Sequence, residues 1–90
     1  MPSTITIQGR PIGDGHPAYV IAEIGINHNG DPALFRQLVR AVQGAGADAV
    51  KVQIIDPAKS YTRSSPSYEI FKRVEFDHTT WRALVGDARS

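Results

Sequence analysis

Two short, nearly apolar runs on either side of an amphipathic segment constrain the fold of this chain more than any other feature. The runs are AYVIAEI, Ala18–Ile24, and ADAVKVQII, Ala47–Ile55. Apolar runs of this length between turn residues are typical of strands buried on both faces, as parallel sheets require. Each run is therefore predicted to be a strand.

The segment between the runs has the pattern of a helix. Asp31-Pro32 resembles an N-cap followed by proline at the first helical position, and Gly44 and Gly46 supply a stop. Apolar residues recur at helical spacing in between, at Leu34, Leu38, Val42 and Ala45. We therefore predict a helix from Pro32 to about Gly44. A crossover of this kind makes the two strands parallel and adjacent.

The flanking segments predict smaller elements. TITI alternates before Gly9-Arg10-Pro11, which indicates a hairpin that continues through Ile12. After Asp56-Pro57 we predict a loop of about ten residues, a short helix around Tyr68 and a final helix capped by Asp77. Two parallel strands cannot enclose a core, so the 90 residues are expected to be part of a larger α/β domain.

Composition excludes several classes of protein. The net charge of +1 gives no field that favours nucleic acid or an anionic membrane. The absence of cysteine excludes disulfides and cysteine-based zinc sites. No apolar run approaches the roughly 20 residues of a membrane span, and the N-terminus lacks a signal-peptide pattern. We therefore expect a cytoplasmic protein that binds neither nucleic acid nor membrane.

Side-chain alternation along the strands predicts a polar cluster. Glu23 shares a face with Tyr19 and Ile21, and Lys51 shares a face with Gln53. Glu23, Lys51 and Gln53 should therefore meet near the carboxyl ends of neighbouring strands, with Glu23 and Lys51 within ion-pairing reach. Parallel α/β sheets place their sites at that edge.

A purely structural role for this cluster is the competing interpretation. The pair would then be a salt bridge inside a barrel, with Gln53 satisfying leftover hydrogen bonds. Desolvation tends to cancel the Coulombic gain of such a pair, which favours a functional site. The opposite faces are purely aliphatic and should pack under helices: Val20, Ala22 and Ile24 on the first strand, and Val50, Val52 and Ile54 on the second.

Three further segments carry candidate residues. The loop INHNG, with Asn27, is expected to arrange backbone and amide donors near the strand ends, whereas a lone His28 is a weak candidate metal ligand. The serine-rich stretch Ser60–Ser67 is either a lid or a solvated connection.

Tyr68 and Trp81 are expected in the core, and four basic residues are expected on a solvated face: Lys59, Arg63, Lys72 and Arg73.

Three motifs in order, IAEIGINHNGD, AGADAVKVQ and SYEIFKRVEFDHTTWRAL, resemble the N-terminal part of the N-acetylneuraminate (sialic acid) synthase family. That family includes legionaminic and pseudaminic acid synthases and spore-coat polysaccharide proteins. The resemblance implies that residues 1–90 are the N-terminal part of a (β/α)8 TIM barrel, a hairpin plus about two βα units. The rest of the barrel and a C-terminal antifreeze-like domain would then be absent.

The resemblance also implies an activity, the condensation of phosphoenolpyruvate with an N-acetylated amino sugar. Lys51 matches a lysine that contacts the phosphoenolpyruvate carboxylate, Glu23 a glutamate between the two substrates, and Gln53 a glutamine on the sugar side. Asn27 is also expected to bind substrate. Ile54 stands where the family often has threonine, so this chain lacks a hydroxyl group at that position.

The complete family members are expected to be homodimers that use a divalent metal, Mn or Mg, whose ligands would lie beyond Ser90. The 90-residue chain alone is therefore expected to be inactive. Two alternatives stay open: a fragment of a legionaminic or pseudaminic acid synthase, and a non-catalytic remnant or assembly module that completes a barrel with another chain.

Overall fold

The structure, a computed structural model, describes residues 3–89. Its elements in chain order are β1 (Thr4–Ile7), β2 (Arg10–Gly13), β3 (Ile21–Gly25), α1 (Pro32–Gly44), β4 (Ala49–Val52), α2 (Pro57–Ser60), α3 (Pro66–Val74) and α4 (His78–Arg89). The strands form two separate two-stranded sheets, β1–β2 and β3–β4. The chain is therefore an α/β structure that begins with a hairpin, as the sequence predicts. No helix within residues 3–89 is long and apolar enough to cross a membrane.

The hairpin is antiparallel and turns at Gln8 and Gly9. Ile7 pairs with Arg10, which leaves these two residues as the turn. Both have positive φ, 50° and 80°, which is the backbone of a type I′ turn and matches the twist of the flanking strands.

The sheet that carries the candidate site is the parallel pair β3–β4. Its register places Ile21 opposite Ala49 and Glu23 opposite Lys51. Helix α1 is the crossover between the strands and begins as predicted, because the Asp31 carboxylate accepts hydrogen bonds from the N–H groups of Ala33 and Leu34.

The core forms where α1 packs on one face of this sheet and α4 packs against α1. Its buried members are one aliphatic residue from β3, three aromatic rings and one leucine: Ile24, Phe35, Phe76, Trp81 and Leu84. Val50 and Val52 of β4 pack against them. Trp81 is thus a core residue, as predicted, whereas Tyr68 is only half-buried.

Both apolar runs are longer than the strands they contain. β3 begins at Ile21 rather than Ala18, and β4 covers Ala49–Val52 rather than Ala47–Ile55. The prediction that every residue of the two aliphatic faces packs under helices is therefore wrong for Val20 and Ile54, which are 53% and 58% exposed. Both lie outside the paired segments, where strict alternation no longer decides the direction of a side chain.

The serine-rich connection is shorter than predicted. Asp56 accepts a hydrogen bond from the N–H of Ala58 and caps α2, a short helix in a segment predicted to be loop. Ser65 then caps α3, which leaves only residues 61–65 between the two helices. The cap of α4 is as predicted, because Asp77 accepts a hydrogen bond from the Thr80 N–H at 2.7 Å.

Candidate functional site at the carboxyl ends of the parallel strands

Glu23 and Lys51 meet across the two parallel strands. They are directly opposite in the register, and the Lys51 Nζ lies 3.3 Å from the Glu23 Oε2. Side chains directly opposite one another on neighbouring strands point to the same face, so this contact follows from the parallel pairing. The predicted juxtaposition of a carboxylate and an ammonium is present.

Gln53 lies near the end of β3, which is irregular. The register shifts between Glu23 and Gly25, and Gly25 has a φ of +52°, in the left-handed region that glycine enters without strain. A Cβ placed on Gly25 would lie 3.6 Å from the Gln53 Oε1 and 3.7 Å from the Glu23 Oε1. The two polar side chains therefore flank this glycine, and the amide completes the cluster with Glu23 and Lys51.

The ion pair is open to solvent. The side chain of Glu23 is 45% exposed and that of Lys51 is 63% exposed. Exposed pairs typically contribute about 0–1 kcal/mol to stability, since water screens the attraction and ordering two long side chains opposes it. Within residues 3–89 the pair therefore lies on an open face of the sheet and does not plug an interior.

Asn27 lies in the turn that follows β3. Its side-chain N–H donates a hydrogen bond to the Ile24 carbonyl at 2.9 Å, so part of its donor capacity is used within the turn. The residue is exposed and lines a groove of about 450 Å³ between this turn and α3. The other residues of the groove are Ile26, Asn29, Ile70, Arg73 and Val74. Asn27 is therefore accessible in a groove that Glu23, Lys51 and Gln53 do not line.

His28 occupies a position that the sequence does not predict. It is 1% exposed and its ring lies among those of Phe35, Phe76 and Trp81, with centroids 5.8, 4.6 and 6.1 Å away. Burial lowers the pKa of the His28 imidazole from its ordinary value. The loop that it belongs to looks polar and exposed in sequence, and only the three aromatic residues elsewhere in the chain explain its burial.

Asp48, at the opposite end of the sheet, is a second position that the sequence does not single out. Its carboxylate accepts a hydrogen bond from the Val20 N–H at 2.8 Å and pairs with Arg10 of the hairpin. The Val20 hydrogen bond first, and then Arg10, hold the pKa of Asp48 below its usual range. Arg10 also lies 5.4 Å from the centre of the Tyr19 ring. These contacts connect the hairpin to the amino ends of β3 and β4, whereas the polar cluster lies at their carboxyl ends.

Residues 3–89 do not offer a metal site. Nowhere in this part of the chain do three histidine or acidic side chains come together in a way that could hold a metal ion. His28 is enclosed by aromatic rings, which leaves it no carboxylate or second histidine as a co-ligand. A metal in the expected reaction would need ligands from elsewhere.

Comparison with known proteins gives a consistent result, although no family model matches the chain. This chain is 44% identical over 94 residues to N-acetylneuraminate-9-phosphate synthase of Mus musculus. The aligned region covers 90% of this chain and 26% of the mouse protein. It is 50% identical over 44 residues to N,N'-diacetyllegionaminic acid synthase of Legionella pneumophila, covering 49% of this chain and 12% of that protein.

A solved structure extends the likeness to the whole fold. The crystal structure of N-acetylneuraminic acid (sialic acid) synthetase from Leptospira borgpetersenii, in complex with citrate, superposes with a TM-score of 0.87 at 27% identity. The match covers 99% of this chain and 31% of that one. The match to the mouse protein likewise covers only 26% of that protein. N-acetylneuraminate-9-phosphate synthase of Homo sapiens, 33% identical over 84% of this chain, is covered over 25% of its length.

The fold and the cluster thus define an α/β segment of a larger domain, with an acidic, a basic and an amide side chain at the carboxyl end of its parallel strands. The chain belongs to the N-acetylneuraminate (sialic acid) synthase family. It spans about a quarter of the length of the curated relatives that it matches along most of its sequence.

Proposed function

We propose that this chain supplies the first part of a (β/α)8 barrel that condenses phosphoenolpyruvate with an N-acetylated amino sugar and releases phosphate. The observation that carries the proposal is the convergence of Glu23, Lys51 and Gln53 at the carboxyl ends of β3 and β4. Parallel α/β barrels build their active sites at this end of the strands. The names of the mouse, Legionella and Leptospira proteins support the same class of reaction.

The cluster suits the charges of such a reaction. C3 of the enol must meet the aldehyde carbon of the sugar, while the carboxylate and phosphate of phosphoenolpyruvate keep fixed positions. In the proposal, the Lys51 ammonium binds the phosphoenolpyruvate carboxylate, and Gln53 and Asn27 hydrogen-bond to the sugar. Glu23 lies between the two substrates, where it orients the sugar or moves a proton.

The complete enzyme of the proposal contains more than these residues. It includes the remaining barrel units, a C-terminal antifreeze-like domain and a divalent metal, Mn²⁺ or Mg²⁺, held by residues other than 3–89. It is a cytoplasmic homodimer, as the family resemblance implies. The 90-residue chain by itself is expected to be inactive, because most of a barrel of about 250 residues would have to come from elsewhere.

A chimaera tests the proposed activity. The matched third of the Leptospira borgpetersenii synthetase is replaced by this chain, and phosphate release is measured with phosphoenolpyruvate, N-acetylmannosamine and Mn²⁺. We expect activity in the chimaera, none in the isolated chain, and a large loss when the chimaera carries Lys51→Ala. A chimaera that folds like the parent enzyme but releases no phosphate with any N-acetylated amino sugar would contradict the proposal.

A second candidate function is assembly without catalysis, in which this chain completes a barrel with another polypeptide. The observation in its favour is the exposure of large apolar side chains beside the cluster, with Ile21 57% and Ile54 58% exposed. This candidate predicts a stable complex between the chain and a partner polypeptide. Any activity of that complex should not change with Lys51→Ala, because this chain would contribute no catalytic residue. The condensation proposal predicts the opposite response to that substitution.

A further inference from the structure

His28 connects the turn after β3 to three other parts of the fold. Its ring contacts Phe35 of α1, Phe76 in the segment between α3 and α4, and Trp81 of α4. The angle between the His28 and Trp81 rings is 85°, an edge-to-face arrangement, while the Phe76 ring lies at 30° to the imidazole. His28 is thus the point at which the turn is anchored in the core.

The hydrogen bond of the ring defines its protonation state. The Gly30 N–H donates to the Nδ1 of His28 at 3.0 Å, and a nitrogen can accept only when it carries no proton. The proton of the neutral ring is therefore on Nε2, which is buried and has no hydrogen-bond partner among the described residues. Adding a proton to Nδ1 would break the bond to Gly30 and place a charge among aromatic rings.

The turn uses left-handed backbone at three positions. Gly25, Asn29 and Gly30 have positive φ, of 52°, 54° and 73°, a region that glycine enters freely and that asparagine adopts more readily than most residues with a Cβ. Gly30 also packs closely on the end of α3, where an added Cβ would lie 3.1 Å from the Arg73 carbonyl oxygen. The bond from Gly30 to His28 holds the left-handed part of the turn in place.

No nearby charge compensates a protonated His28. The titratable and charged groups of the packed elements are Asp31, Arg36 and Arg40 at and in α1, Glu75 and Asp77 beside Phe76, and His78, Arg82, Asp87 and Arg89 in α4. The carboxylates among them have other partners: Asp31 caps α1, Glu75 pairs with Lys72 and Asp77 caps α4. Arg36 pairs with Asp87. Burial is accordingly what lowers the pKa of His28.

From this geometry we infer that His28 is a positioning residue whose neutral imidazole fixes the turn Ile26–Gly30, and that protonation of the ring releases the turn. The consequence for the site passes through Asn27 and Gly25, which lie in and next to the turn. Asn27 would lose its fixed place in the turn, where its side chain bonds to the Ile24 carbonyl, and the link to a substrate rests on the function proposed above. The state of the turn does not depend on that function.

The direction of the pH effect follows from the two states of the ring. Because burial lowers the folded pKa, the folded state favours the neutral ring, and its advantage is complete above the ordinary histidine value of 6.5. As the pH falls below that value, the unfolded or released state binds the proton first. The turn should therefore be ordered at neutral pH and released on acidification.

An NMR titration of the intact chain tests the inference. Long-range proton–nitrogen spectra are recorded from about pH 8 to about pH 5, the range around an ordinary histidine. We expect an acceptor-type Nδ1 and a protonated Nε2 at the upper end. His28 should titrate below the value for a histidine in an unfolded peptide. The backbone amides of residues 26–30 should shift at the same midpoint, before the indole signal of Trp81 reports unfolding.

Two variants separate positioning from general stabilisation. His28→Asn keeps an acceptor near the place of Nδ1 but does not titrate, so the turn should stay ordered across the range. His28→Phe keeps a ring without an acceptor, so the turn should be altered at every pH. If either variant fails to fold, the titration of the unsubstituted chain still decides. Titration of His28 without any change in residues 26–30, or the same pH response in His28→Asn, would overturn the inference.

Discussion

Lys51→Ala should leave the stability of the chain almost unchanged while it removes the proposed function. Two unit charges at the 3.3 Å separation of Lys51 and Glu23 attract by about 1 kcal/mol in water. Side-chain ordering and salt reduce this further, so the free energy of unfolding should fall by about 0–1 kcal/mol. A buried structural pair would behave differently, since removal of one partner costs about 3–5 kcal/mol.

Urea denaturation followed by the fluorescence of Trp81 measures this difference. Leu84→Ala is the calibrating variant, because Leu84 is 1% exposed and its truncation should lower the free energy of unfolding by about 2–5 kcal/mol. Lys59→Ala is the matched control, because Lys59 is exposed on α2. A loss for Lys51→Ala as large as that for Leu84→Ala would show that the ion pair is structural and would refute the reasoning.

Three further predictions concern glycines and a carboxylate. Gly30→Ala should destabilise the chain, since Gly30 has a φ of +73°. Gly44→Ala should stabilise the chain by about 0.5–1 kcal/mol, since Gly44 is helical and has open space at its Cβ position. The urea concentrations at half-unfolding of the two variants measure the difference. Gly25→Ala should lower the free energy of unfolding by about 1–2 kcal/mol, because its φ is +52°, and unchanged stability would count against a left-handed backbone at this position. Asp48→Asn should reduce the loss of stability at acid pH. Because the pKa of Asp48 is lowered in the fold, its carboxylate stabilises the folded state at pH values above the ordinary aspartate pKa of 3.8. This contribution is lost as the pH falls through the folded pKa. Identical acid limbs for the two proteins would contradict the last prediction.

The parts of the fold that depend on local signals can be read from the sequence. Helix α1 has the predicted bounds because Asp31-Pro32 and the glycines after Val42 are strong local signals. The pairing of Glu23 with Lys51 also follows from sequence, since a helical crossover makes adjacent strands parallel and alternation then decides the face. The roles assigned to Glu23, Lys51, Gln53 and Asn27 remain predictions.

The parts that depend on distant residues could not be read in this way. The strands are shorter than the apolar runs because their ends depend on pairing: the Val20 N–H bonds to the Asp48 carboxylate rather than to a backbone carbonyl, although the Val20 carbonyl accepts from the Ala49 N–H. The burial of His28 depends on three rings that are far apart in sequence, and the hydrogen bond from Gly30 depends on the turn they enclose. The register shift at Gly25 also could not be read, since a shift of one residue leaves no reliable trace in the sequence, although alternation alone predicts that Gln53 shares the face of Lys51.

The central claim is that Lys51 faces the substrates as a fixed cation for phosphoenolpyruvate. The most direct measurement is the KM of the synthetase chimaera for each substrate, with and without Lys51→Ala, beside Lys59→Ala as the control. The account predicts that Lys51→Ala raises the KM for phosphoenolpyruvate by about tenfold or more, equivalent to about 1.4 kcal/mol of lost binding, and changes the KM for the amino sugar little. Equal effects on both substrates, or an effect no larger than that of Lys59→Ala, would contradict it.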